Sequence, residues 1–210
     1  MALKKRLNQK IQDWKGEFLE HKELIYFSTF LLILATVIDY NAGKYVTRVG
    51  SSVVNDFILD NVPPINLNFL FVYAWLFLAV LLIVYPLFFR VHKIHTVLSY
   101  FSLLIIVRSF FITLTHLKTP FDAVSTSFPG PLSFFQFEND LFFSGHTAVP
   151  FLGFLIFKEE KIRYFFLLGS IIMALTVLLM HQHYTIDVIS AYFITYGVHK
   201  IGKRLFSVIG

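Results

Sequence analysis

The chain contains no cysteine, which excludes a disulfide framework, a thiolate nucleophile and any sulfur-ligated metal. Charge is scarce too: Asp, Glu, Lys and Arg make up 15% of the 210 residues, against 56% hydrophobic residues. A soluble domain carries about 25% charged and about 45–50% apolar residues, so the composition excludes a water-soluble globule. No linker, low-complexity stretch or clear repeat divides the chain. The abundant residue is Phe, at 26 copies, mostly inside long apolar runs where lipid contact or helix packing accounts for it without an aromatic binding site.

A membrane-spanning helix needs about 20 mostly apolar residues, with about 17 the lower limit. Six runs approach this: Leu24 to Ile38, Ile65 to Phe89, about Ile94 to Leu117, Leu141 to Phe157, Tyr164 to Met180 and Tyr184 to Val198. The fold class expected is therefore all-α, a polytopic membrane protein built as a six-transmembrane-helix bundle. The first run follows a long hydrophilic segment and offers no small-x-small cleavage site, which argues for a retained anchor over a signal peptide. Residues 1–22 form a separate N-terminal segment, and residues 23–210 form the six-span domain. In the former, Leu3, Leu7, Ile11, Trp14 and Phe18 recur at helical spacing among lysines, which suits either an amphipathic helix on the membrane surface or a solvated tail.

Lys and Arg concentrate in cytoplasmic loops. The residues Lys4, Lys5, Arg6, Lys10, Lys15, Lys22, Arg90, Lys93, Lys158, Lys161, Arg163, Lys200, Lys203 and Arg204, 14 of the 18 basic side chains, fall at alternate ends of the runs. Lys44, Arg48 and Lys118 fall at the others. Both termini are thus expected in the cytoplasm, and 118–140 and the turn at His181 on the exoplasmic face. Basic residues placed this way serve topology, and nucleic acid is not an expected partner. Arg108 lies inside the third run, where a cation needs a polar interior, a phosphate or an acid.

That topology puts the unusual polar residues on one side. Ser144, Gly145, His146 and Thr147 open the fourth run; His181, His183, Tyr184, Thr185 and Asp187 open the sixth. A helix N-terminus presents free N–H groups and partial positive charge, a ready site for phosphate, which Ser144 or Thr147 could cap or contact. His183 and Asp187, four residues apart, share a helix face, so the carboxylate can hold the imidazole Nδ1–H and leave Nε2 to attack phosphorus. His146 on the neighbouring helix start is the candidate acid for the departing oxygen.

Two stretches resemble the sphingomyelin synthase family within the type 2 phosphatidic acid phosphatase superfamily. His183-Tyr184-Thr185-Ile186-Asp187-Val188, with Ala191-Tyr192 after it, is similar to that family's His-Tyr-Thr-x-Asp-Val motif; Asp140-Leu141-Phe142-Phe143-Ser144-Gly145-His146-Thr147 resembles its Gly-Asp-x-x-x-Ser-Gly-His-Thr motif. A looser likeness runs from Arg108 to Pro120. The resemblance implies a catalytic triad of His146, His183 and Asp187, with Asp140 near the site. Ser144, Gly145, Thr147, Asp140, Arg108 and Tyr184 are the expected substrate-binding residues, although a tyrosine placed like Tyr184 is more often an interfacial or packing aromatic than a ligand. The broader phosphatases have Arg where Val177 stands and Pro where Phe143 stands, which favours the synthase branch; Asn139 replaces the synthase Gly.

The expected function is transfer of a phospho-headgroup from a phospholipid to a lipid alcohol through phosphohistidine, without metal or cofactor; with water as acceptor the same residues give a lipid phosphate phosphatase. Two rivals stand beside it. His181, His183, His146 and Asp187 offer enough ligands for zinc, and a transporter could use Arg108 and the histidines along a pathway. Transferase or phosphatase, headgroup, lipid backbone and oligomeric state stay open.

Overall fold

The apolar runs fold as helices. A computed structural model describes residues 2–206, with side chains from residue 9 onward except at 10, 132 and 135. The helices are α1 (Ala2–Glu20), α2 (Lys22–Val49), α3 (Trp75–Phe89), α4 (Ile94–Leu114), α5 (Gly145–Ile156), α6 (Ile162–Leu179) and α7 (Thr185–Phe206). A π-helical turn, Leu70–Ala74, leads into α3, and a 3₁₀ turn, Val91–Lys93, leads into α4. There is no strand among the described residues; the only β feature described is an isolated bridge between Ser52 and Leu117.

Four helices are long and apolar enough to cross a bilayer: Lys22–Val49, Leu70–Phe89, Val91–Leu114 and Ile162–Leu179. Phe30, Ile33 and Val37 on α2, Phe77 and Phe88 on α3, and Leu168 and Leu175 on α6 are exposed, an outer surface that suits lipid and not water. The chain is thus a multi-pass membrane protein. The other two runs also become helices, but of different character. α5 has 12 residues, about 18 Å of helix against a hydrocarbon core of about 30 Å. α7 has 22 residues, with Asp187 in its first turn and Lys203 and Arg204 in its last.

Helix ends depart from the hydropathy boundaries for local reasons. The first run stops at Ile38 in hydropathy, yet α2 continues to Val49, its polar side chains turned back onto the helix: Asn41 donates to the Val37 carbonyl at 2.7 Å and Thr47 to that of Gly43 at 2.8 Å. The fourth run begins at Leu141, but α5 begins only at Gly145, because Ser144 is its N-cap and accepts the Thr147 N–H.

α2 packs along α4, α5 against α6 and α7, and α4 also against α7. Leu82, Val97, Leu104, Leu152, Phe166 and Met173 fill the central core, with Phe143 of the loop before α5 wholly buried among them. At one end of the bundle Glu160 receives Tyr85 Oη at 2.5 Å and Lys93 Nζ at 2.8 Å. α1 is seated at that end: Trp14 Nε1 donates to the Leu87 carbonyl at 2.7 Å, and Phe18 packs with Ile25, Ile94 and Leu98. The side chains of Leu3 and Leu7 lie outside the described residues. At the opposite end three loops are knitted by backbone bonds, Lys118 N to Ser52 O at 2.8 Å, Ile65 N to Leu179 O at 2.7 Å and Val124 N to Met180 O at 3.0 Å.

Candidate active site

The knitted end carries the site. His146, the second residue of α5, and His183, in the turn before α7, have ring centroids 6.2 Å apart at 60°. His183 Nδ1 lies 3.5 Å from Asp187 Oδ2, an ion-pair contact too long for a well-formed hydrogen bond. Catalytic contacts of this kind are commonly loose before substrate arrives and tighten in the complex. Asp187 is completely buried. Its Oδ2 accepts the Tyr184 N–H at 2.9 Å, the back-reaching half of a capping box at the start of α7.

Tyr184, at the N-cap position, has no short acceptor side chain to complete that box. Asp56, 129 residues before Thr185, supplies it: its Oδ2 accepts the Thr185 N–H at 2.6 Å and its Oδ1 the Thr185 hydroxyl at 2.6 Å. Burial raises the Asp56 carboxyl, but the hydrogen bonds from Thr185, Leu59 and Ile58 outweigh it and hold the group below the usual range. The first N–H groups of α7 are therefore taken by two of the protein's own carboxylates, whereas the sequence suggests both helix starts as anion sites. The start of α5 is the one that faces open space.

That space is a cavity of about 720 Å³. His146, His183, Gly145, Arg108 and Asp140 line its polar end, and Leu32, Ile83, Phe101, Ile105 and Val149 line an apolar limb between α2, α3, α4 and α5. Of the remaining residues expected to bind substrate, Ser144 and Thr147 are buried in the α5 cap. The Tyr184 hydroxyl donates to the Lys118 carbonyl at 2.8 Å and accepts the Val54 N–H at 3.3 Å, outside the cavity lining.

Arg108 is committed to the loop before α5. Its Nε donates to the Phe143 carbonyl at 2.9 Å, one terminal nitrogen lies 3.1 Å from Asp140 Oδ2, and the other lies 2.8 Å from Asp140 Oδ1. The guanidinium packs so near α5 that a Cβ at Gly145 would sit 3.2 Å from its Nε. Asn139, which replaces the Gly of the resembled motif, has φ 61°, a left-handed conformation that Asn tolerates better than most residues. Its Oδ1 accepts the Thr119 N–H at 3.1 Å.

Hydropathy and motifs left several cavity residues unmarked. Asp39 of α2 receives the Ser109 hydroxyl at 3.0 Å and stands 3.9 Å from Arg108; a carboxylate just past an apolar run was its available signal. Phe71 and Trp75 flank the His146 ring, with centroids 4.1 and 5.1 Å away, and nothing distinguishes them in sequence from other membrane aromatics. His181 is turned aside: its Nδ1 lies 2.8 Å from Asp122 and its Nε2 2.9 Å from the Val62 carbonyl. Among the described residues no three His, Asp or Glu side chains converge as metal ligands.

Residues 139–203 match the PAP2 superfamily C-terminal family. The phosphatidylcholine:ceramide cholinephosphotransferase 2 of Rattus norvegicus is 42% identical over 62 residues, which is 27% of this chain and 17% of the relative. The Homo sapiens protein of the same name is 44% identical over 62 residues, with the same two shares. The matched stretch thus spans about a sixth of those relatives' length. No solved structure matches the chain. Residues 139–203 are thus similar to the PAP2 superfamily C-terminal family, and a stretch of 62 residues is similar to the two cholinephosphotransferases.

Proposed function

We propose that the protein is an integral-membrane phosphotransferase that moves a phospho-headgroup from a phospholipid to a lipid alcohol. One observation carries the reading: His146 and His183, the latter backed by buried Asp187, meet at the polar end of a cavity whose other limb is apolar and lies between membrane-spanning helices. Phosphate at the histidines and acyl chains along Leu32, Ile83 and Ile105 fit one bound lipid.

In the proposed cycle His183 Nε2 attacks phosphorus, and the bond from phosphorus to the lipid oxygen breaks as His146 protonates that oxygen. Asp187 orients His183 and offsets the positive charge on its ring. The products of this half are a neutral lipid alcohol and phosphohistidine. The acceptor hydroxyl then attacks phosphorus, His146 takes its proton, and the phosphorus–nitrogen bond breaks to restore His183. The residues Asp140 and Arg108 border the phosphate, with Ser144 and Thr147 shaping the α5 start that receives it.

The topology that goes with this reading has six crossings, with the shorter α5 and the charged-ended α7 completing the four apolar spans. Residues 1–22 then form the cytoplasmic amphipathic segment and residues 23–210 the catalytic domain, both termini are cytoplasmic, and the site opens on the exoplasmic face. The basic residues at the ends of the runs support this orientation.

The activity named for the two relatives makes phosphatidylcholine and ceramide the first donor and acceptor to test. Purified protein given phospholipid labelled in its phosphate, with and without a lipid alcohol, is expected to move label onto the alcohol. Label passing only to water would reject transfer and leave the phosphatase. His183→Gln is expected to abolish both, and turnover retained by that variant would remove the nucleophile assignment.

A further inference from the structure

His146, the proposed acid, has neighbours that lie outside the segment matched to the PAP2 C-terminal family. Leu70–Ala74 winds as a π-helical turn, a rare local geometry found often at functional sites. It delivers Phe71 and Trp75 to the same imidazole. Phe71 stacks on His146 at 4.1 Å with 26° between ring planes, and Trp75 lies over it at 5.1 Å and 40°. Phe128, from the loop that covers the cavity, meets both rings edge-on at 6.1 and 6.0 Å, so the stack is itself braced. His146 Nε2 is buried with no hydrogen-bond partner among the described residues. No hydrogen bond to that nitrogen therefore fixes the ring; the aromatic faces do.

We propose that Phe71 and Trp75 are positioning residues for the proton-carrying histidine: their faces hold the His146 ring toward the cavity and stabilise its imidazolium. The inference rests on the phosphotransfer reading for its purpose but not for its geometry. An imidazolium is a cation, and the face of an aromatic ring, Trp best, attracts a cation. The charged groups around it divide by sign. Arg108 of α4, adjacent to Gly145, and His183 across the cavity oppose a positive ring. Asp187 of α7, Asp39 of α2, and Asp140 and Glu138 of the covering loop favour it, but Asp187 is engaged by Tyr184 and His183, and Asp140 by Arg108. With Asp187 and Asp140 so committed, the two ring faces are the partners stacked on the imidazole. They also shield it from water, a burial that by itself opposes the charge, and the ring faces are the contacts that offset that cost without supplying an acceptor that would remove the proton.

The test separates this role from the reaction. Histidine-¹⁵N spectra of the full chain in detergent, with the His146 signal assigned by its loss in His146→Gln, follow the titration of that ring directly. Trp75→Leu is expected to lower the midpoint by about half a pH unit, about threefold in proton affinity, and Trp75→Phe to restore it. Phe71→Leu is expected to act in the same direction. In the transfer assay the high-pH limb of kcat/KM should move down with Trp75→Leu and return with Trp75→Phe. A His146 midpoint unmoved by Trp75→Leu, in protein that elutes and melts as wild type does, overturns the inference even if the enzyme is active. A shifted midpoint in a protein with no transfer activity upholds the aromatic role and rejects the phosphotransfer reading alone. Should Trp75→Leu fail to fold, Phe71→Leu and Trp75→Phe carry the same comparison.

Discussion

The backbone N–H of Ser144 donates to the carbonyl of Asp187 at 3.1 Å. This bond joins the two stretches that carry the proposed chemistry, since Ser144 caps α5 two residues before His146 and Asp187 lies in the first turn of α7, four residues after His183. The backbones that carry the two imidazoles, whose centroids lie 6.2 Å apart, are therefore tied directly to each other by main chain. Ser170 of α6 reinforces the same junction by donating to the Thr147 carbonyl at 2.9 Å.

Ser144→Ala keeps that main-chain bond but removes the oxygen that accepts from Thr147 N at 3.4 Å and from the Thr147 hydroxyl at 3.3 Å. Loss of a helix N-cap costs about 1 kcal/mol, which for a chain of this size lowers the melting midpoint by about 2–4 °C. We expect that shift in detergent, with transfer reduced but detectable. An abolished activity with an unchanged midpoint would make Ser144 a substrate ligand and not a cap.

Asp56 makes a pH-dependent contribution. Its carboxyl is held below its ordinary value by the Thr185 bonds, so the folded state binds the proton less well than the unfolded chain. The stabilisation is then fully present above the ordinary carboxylate value and is lost as pH falls through the depressed one. Asp56→Asn should flatten the acid side of the melting-temperature profile and lower the plateau at neutral pH. Because α7 begins at Thr185, directly after the His183–Tyr184 turn, we also expect a loss in kcat that exceeds the change in KM.

The all-helical, membrane-spanning character was legible because membrane helices announce themselves by apolar length, and the histidines stood out because they interrupt that pattern at helix starts. Two kinds of feature were not legible. Helix ends set by hydrogen bonds escaped hydropathy: α2 runs past Asp39 and Asn41 to Val49, and α5 waits for its Ser144 cap. Contacts made across long separations escaped the motifs. Asp56 completes the cap of α7 from another loop, Asp39 joins Arg108 from another helix, and Phe71 in the π turn and Trp75 at the start of α3 reach His146 from a distant part of the chain.

The histidines also suggest zinc by residue type alone, and the geometry bears on how a metal assay should come out. His181 is bound to Val62 and Asp122, so the His181-x-His183 pair does not present two nitrogens to one point. We expect transfer activity to survive excess chelator and to gain nothing from added zinc. Activity lost to chelator and recovered with stoichiometric zinc would require another set of ligands and another nucleophile.

Arg108 offers the sharpest division between two roles. If its value were charge alone, Arg108→Lys would retain most activity, since an ammonium can also face a phosphate. The observed contacts instead use the fork: Nε holds the Phe143 carbonyl while the terminal nitrogens hold both oxygens of Asp140. Lys has no planar fork and cannot hold both. The site is only 13% exposed at the Arg108 side chain and 21% at Asp140. Removing one partner of a buried pair costs about 3–5 kcal/mol because the other charge is stranded. We therefore expect Arg108→Lys and Arg108→Gln to lose transfer by at least about tenfold, the consequence of misplacing the loop that aims His146. Their melting midpoints should fall together, with Gln the lower. The double variant Arg108→Gln, Asp140→Asn removes the stranded charge and should recover stability without recovering activity. Full activity in Arg108→Lys would show that the loop is aimed by something other than this guanidinium.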